Sequence, residues 1–283
     1  VFGARRQPVW ASRRTSQWAL LTGVYDPVVG ADGLRWRDYE RAAEAVGSPL
    51  AARSFDAPPA GDRPAGDRPA EEAERPPAVP DWFDRADRPP PLAESRPYGV
   101  VGGLAPSSER AQLDLEHAVP GRFPDPRGTW IRLINAEGPI ENPFRSTNAV
   151  DCALAVMSAW HGEPVVAAAR HPEYDPDGKP MLTGESGGVA RAQQWLAHRF
   201  EYVGQGPQAY AGIAQRLRAA RHGAAAVLIT RWPNGGSHAW NAINSNGEVV
   251  WIDAQRGHMA VEPPYDNVTG VFCVVMDHRG RSA

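Results

Sequence analysis

Ser146-Thr147-Asn148-Ala149-Val150-Asp151-Cys152-Ala153-Leu154-Ala155-Val156-Met157-Ser158-Ala159-Trp160 reads as one helix that is apolar nearly all round. A helix without a polar face passes through the middle of a domain instead of lying on its surface. Ser146 or Thr147 is placed to cap its start, and Gly162 and Pro164 to stop it. The spacing therefore predicts a buried helix from about Asn148 to Trp160, with Cys152 in or near its first turn. A cysteine works as the thiolate, which needs a proton acceptor and a setting that favours negative charge. Free N–H groups and the positive end of a helix dipole supply such a setting and can also receive an oxyanion.

Downstream, two further helices fit Val189–Phe200 and Ala209–Arg221. Strands fit Ala224–Arg231, His238–Asn244, Glu248–Asp253 and Val271–Met276. The Gly-rich Asn234-Gly235-Gly236-Ser237 leads straight into His238, which mounts an imidazole at the rim of a sheet. If Ser245-Asn246-Gly247 is a tight turn, the hairpin returns Asp253 to the same end. Asp253 can then accept from the imidazole, set its tautomer and stabilise the imidazolium. Each of these residues alone reads more simply as core or solvated structure. The conjunction is what points to catalysis: Cys at a helix start, His after a glycine loop, Asp one hairpin later. Cys273, inside Val271–Met276, reads as a buried strand residue.

Upstream the composition changes. From Asp56 to Pro97 the chain is dense in proline and charge, with Gly61-Asp62-Arg63-Pro64-Ala65 repeated as Gly66-Asp67-Arg68-Pro69-Ala70. Such a stretch lacks the apolar surface to offset the entropy of ordering, so residues 56–97 read as a disordered or extended linker. Before it, Trp36, Tyr39, Ala43 and Val46 recur at helical spacing between Gly33 and Gly47. Residues 1–55 thus read as an N-terminal segment with one amphipathic helix, the end of a larger module. Residues 98–283 form the catalytic domain.

The formal net charge of −3 over 283 residues, without a basic stripe, argues against a nucleic-acid or anionic-membrane partner. Two cysteines at no metal-type spacing argue against a disulfide framework or a zinc knuckle, and the histidines form no ligand motif. Neither a metal nor a cofactor is expected. No apolar run reaches the roughly 20 residues of a membrane span. No Sec-type hydrophobic stretch follows Val1-Phe2-Gly3-Ala4-Arg5-Arg6, so the fold is expected to be a cytoplasmic one.

Three blocks resemble the papain-fold toxin family, the toxin glutamine deamidase domains of bacterial polymorphic toxins and effectors. They are Phe144-Arg145-Ser146-Thr147-Asn148-Ala149-Val150-Asp151-Cys152 with Gly162-Glu163-Pro164, then Gly236-Ser237-His238-Ala239-Trp240-Asn241-Ala242, then Val250-Trp251-Ile252-Asp253-Ala254-Gln255. The resemblance implies an α+β, papain-like cysteine hydrolase fold, with a buried helix carrying the cysteine and an antiparallel sheet carrying His and Asp. It implies Cys152 as nucleophile, His238 as base and Asp253 as orienter, with Asn148 and Gln255 lining the site. It also implies a target protein bearing a reactive glutamine, an immunity protein as a further partner, and delivery into a target cell. One departure stands out. The family pattern is Asn-Cys-x-x-Cys, and here Asn148-Ala149-Val150-Asp151-Cys152 keeps only the second cysteine, so Ala149 is an alternative nucleophile position.

The expected reaction runs from thiolate attack on a glutamine carboxamide to a tetrahedral oxyanion held by the Cys152 N–H. His238 then protonates departing ammonia, and water resolves the thioester to leave glutamate. A cysteine protease or a transglutaminase would use the same triad and differ in what resolves the acyl-enzyme. A papain-fold module with its nucleophile lost at position 149 would use none of it.

Overall fold

The structure is a computed structural model that describes residues 80–136, 138–233 and 235–283. The segment 1–55 with its expected helix, and residues 56–79 of the expected linker, lie outside the described residues.

The element that organises the rest is the buried helix. Helix α1 spans Glu109–Ala118, α2 Ala149–Trp160, α3 Gly188–Leu196 and α4 Pro207–Ala219. Single helical turns at Trp130–Leu133 and Gly138–Glu141 lead into α2. From Asp151 to Trp160 every residue of α2 is buried, as an all-apolar helix requires. The expected cap is not used: the N-cap is Asn148, whose side chain makes no capping bond, and Ser146 Oγ donates to the Pro143 carbonyl instead. Asn148 is drawn into a different network, described below.

Strands β1 (Leu104–Ala105) and β2 (Ala169–Arg170) form a small antiparallel pair. The main sheet contains β3 (Glu201–Gly204), β4 (Ala225–Arg231), β5 (Ser237–Ser245), β6 (Glu248–Asp253), β7 (His258–Ala260) and β8 (Gly270–Met276). Its order is β3-β8-β4-β5-β6-β7 and every neighbouring pair is antiparallel. The fold is thus a mixed helix and antiparallel-sheet one.

Helices cover both faces, which is why β4 and β8 read as continuous apolar runs instead of alternating ones. Side chains alternate in their destination along each strand. Ala225, Val227, Ile229, Ala239, Ile243, Val250 and Ile252 pack into the core around α2. Ala226, Leu228, Trp240, Ala242, Val249 and Trp251 pack into a second core with Tyr210, Ile213 and Leu217 of α4.

The linker expectation needs correction at its C-terminal end. Trp82, Phe83 and Leu92 are buried in the α2 core, and Trp82 N–H donates to the His278 carbonyl. Asp81 Oδ2 lies 2.9 Å from Nδ1 of the buried His161, at the end of α2. Arg96 reaches Asp151 near the start of the same helix. Three large apolar side chains, the buried Asp81–His161 contact and the buried Arg96–Asp151 ion pair fasten this strap, and proline-rich composition conceals them. Residues 80–97 therefore belong to the packed domain.

Candidate active site

The start of α2 and the mouth of the β5–β6 hairpin lie at one end of the sheet. Asn241 Nδ2 on β5 donates to the Ala153 carbonyl, and Gln255 Nε2, just past β6, donates to Asn148 Oδ1. At the other end Trp160 Nε1 donates to the Gly223 carbonyl, beside Asn244 of β5. Helix and strand β5 therefore run in the same direction, and residues 148–150, 238 and 253 share an edge.

His238 and Asp253 are joined there, with His238 Nε2 2.8 Å from Asp253 Oδ2 and both side chains buried. Tyr265 Oη donates to the same oxygen, and Arg256 Nε lies 3.4 Å from it. Burial works against ionisation of Asp253, but His238, Arg256 and Tyr265 outweigh it and hold the carboxyl well below the usual carboxylate range. An ionised Asp253 can only accept, so Nε2 carries the proton. The Nδ1 atom of His238 makes no hydrogen bond among the described residues.

Cys152 is placed otherwise. Its Sγ donates to Asn148 Oδ1 at 3.4 Å and makes no hydrogen bond to His238. Strand alternation gives the reason. Cys152 packs in the α2 core with Ala239, Ile252 and Ala254, whereas His238 and Asp253 follow the parity of Trp240 and Trp251, toward the other face. Burial, together with the charges of Asp151 and Asp253, raises the Cys152 thiol well above its ordinary value, against the pull of Arg145 and Arg96. The Cys152 N–H, expected to hold an oxyanion, donates to the Asn148 carbonyl at 3.0 Å as the first bond of the helix. The N–H groups without intrahelical partners are those of Ala149, Val150 and Asp151. Ala149 and Val150 are also the only half-buried positions of the helix.

Asn148 and Gln255, expected to line the site, sit in a buried carboxamide network. Asn148 Nδ2 donates to Asn135 Oδ1 and to the Ala168 carbonyl, both at 2.9 Å. Asn135 Nδ2 in turn donates to the carbonyls of Gln255 and Arg145. A second buried assembly stands behind the helix start. Asp151 pairs with Arg96 and Arg191, accepts the Ala168 N–H, and through Arg191 is linked to Glu185. The signal for it was in the sequence, because an acidic residue inside an all-apolar helix must find charged partners. Tyr265 and Arg256 carried no comparable signal. Among the described residues no group of three or more His, Cys, Asp or Glu could hold a metal ion. No described helix is long and apolar enough to cross a membrane.

The helix start, the dyad and the hairpin between them can be set beside known families. Residues 147–258 match the papain fold toxin 1, glutamine deamidase family. This papain-fold match begins one residue before the N-cap of α2 and ends inside β7, so it contains Ala149, Cys152, His238, Asp253 and Gln255. Tyr265 and the strap 80–97 lie outside it. No curated protein and no solved structure matches the chain.

Proposed function

We propose that this is a glutamine-deamidase site of the papain-fold toxin type in which residue 149 is the nucleophile position, His238 the base and Asp253 its orienter. With alanine at 149, the chain as it stands binds a glutamine side chain without opening its amide. The observation that carries the choice is the contrast at the helix start. Position 149 is half-buried, beside unpaired N–H groups and at the same sheet edge as the dyad. Cys152 is buried a turn deeper, with its sulfur on Asn148 and its N–H spent in the helix.

In the competent form, a thiol at 149 gives its proton to His238 Nδ1 and attacks the carboxamide carbon. The oxyanion is held by first-turn N–H groups, where the helix dipole favours negative charge. The imidazolium, steadied by Asp253, passes its proton to the departing amine, and ammonia leaves. Water, deprotonated by the same imidazole, then hydrolyses the thioester and leaves a glutamate. The family likeness supports toxin activity; a target protein, an immunity partner and delivery into a cell are proposed with it.

The test is Ala149→Cys. Its new thiol should react with iodoacetamide at neutral pH faster than Cys152, and Ala149→Cys/His238→Ala should lose that advantage. Ammonia should be released from a glutamine peptide capped at both ends, with the mass gain of an amide becoming an acid. A cut peptide would mean proteolysis, and a cross-link to an added amine would mean transglutamination. Ammonia release by the unaltered chain, abolished by Cys152→Ala, would return the nucleophile to Cys152 and overturn the assignment of 149.

A further inference from the structure

Asp253 has two carboxylate oxygens, and the structure crowds its donors onto one. His238 Nε2 and Tyr265 Oη donate to Oδ2, and the Arg256 guanidinium pairs with it through Nε at 3.4 Å without a hydrogen bond, while Oδ1 has no hydrogen-bond partner among the described residues. Tyr265 is 1% exposed, so its hydroxyl is held in place by packing. Its ring stands edge-on to the His238 imidazole, with centroids 5.7 Å apart and planes at 89°, and edge-on to Trp232 and Trp240 as well. Arg256 closes the arrangement from above: its guanidinium lies over the Tyr265 ring at 5.1 Å, and Nη1 donates to the hydroxyl oxygen. Tyr265 therefore meets both members of the dyad, the carboxylate through its hydroxyl and the imidazole through its ring edge.

We infer that Tyr265, backed by Arg256, is the positioning residue of the His238–Asp253 dyad. It fixes the plane of the imidazole and shares the carboxylate oxygen that receives the imidazole N–H. As a catalytic role this rests on the deamidase reading; as a statement about the dyad it does not.

Tyr265→Phe keeps the ring and removes the hydroxyl. With one competing donor gone, Oδ2 has more charge to give the imidazole, and that charge-assisted bond strengthens. The low-field His238 Nε2–H proton resonance of the otherwise unaltered chain should move further downfield, while backbone amide resonances away from the site stay in place. Arg256→Gln leaves the tyrosine intact but depolarises its hydroxyl. It should give a smaller shift in the same direction, and it serves if Tyr265→Phe fails to fold. In the Ala149→Cys background, Tyr265→Phe should lower kcat about tenfold with KM unchanged, the pattern of a group that acts on the transition state and not on binding. An unmoved resonance in a folded Tyr265→Phe, or an equal rise in KM and no loss in kcat, overturns the inference. If Ala149→Cys proves folded but inactive, the deamidase reading fails alone and the resonance still decides the role of Tyr265.

Discussion

Gln255 Nε2 donates to Asn148 Oδ1 over 3.2 Å, a bond between residues 107 positions apart that seats the start of α2 against the end of β6. The two side chains are buried and their bonds run through Asn135 to the backbone on both sides. Removing one partner leaves a buried donor or acceptor unmatched, which costs about 1–3 kcal/mol. Gln255→Ala and Asn148→Ala should each lower the urea midpoint accordingly. The pair should couple by about 0.5–3 kcal/mol in a double-mutant cycle, as bonded neighbours do. Strict additivity would show that the network is not made in solution.

The two thiols should be inert in the native protein. Cys152 is buried with its thiol raised well above the ordinary value, and burial pushes Cys273 up to about 11. At neutral pH the thiolate fraction of each is negligible. Native labelling by iodoacetamide should therefore be much slower than labelling in urea, where both react as free thiols. Rapid native labelling of Cys152 alone would favour it as the nucleophile.

Much of the fold was legible because hydrophobic pattern carries it. An all-apolar run can only be a buried helix at that length, and β4, β5, β6 and β8 announced themselves by apolar runs and the Ser245-Asn246-Gly247 turn. His238 and Asp253, one hairpin apart in sequence, lie 2.8 Å from each other. The side of the sheet on which they meet was not legible. It depends on the parity of strand residues relative to a helix distant in sequence, and a one-residue difference sends a side chain to the opposite face. Asn148 and Gln255 were singled out as site-lining, yet their polar atoms are used in joining distant backbone segments, which no local pattern reveals. Residues 80–97 read as linker because composition averages over Trp82, Phe83, Leu92 and Arg96, whose partners lie far away along the chain.

Asp151 should make the domain acid-sensitive. Burial opposes its ionisation, but Arg96 and Arg191, with the Ala168 N–H, outweigh it and lower its carboxyl below the ordinary value. The folded value is thus depressed relative to an unfolded one near ~3.9. The stabilisation is present above that pH and is lost as pH falls through the folded value. Asp253 contributes in the same direction. Asp151→Asn leaves the buried Arg96 without its carboxylate and Arg191 with Glu185 alone, and should cost about 3–5 kcal/mol at neutral pH. It should also flatten the decline of stability below about pH 4. Urea titrations at several pH values would read both effects, and a variant with unaltered acid dependence would show that Asp151 is not the group responsible.

The strap can be tested where it meets the C-terminal turn. Gly280 has φ +75°, and a Cβ built on it would collide with the Trp82 ring. Trp82 itself packs edge-on against Phe83, His161 and Trp195. Trp82→Ala should cost about 3–5 kcal/mol as a large-to-small change in a core. Gly280→Ala should cost about 1–3 kcal/mol from overpacking, besides the strain of a left-handed backbone. Once the ring is gone the collision goes with it, so Gly280→Ala in the Trp82→Ala background should cost only the backbone strain. The double variant would then be more stable than the sum of the single losses predicts. Equal costs of Gly280→Ala with and without the tryptophan would mean that the strap does not lie against this turn in solution, and residues 80–97 would revert to a linker.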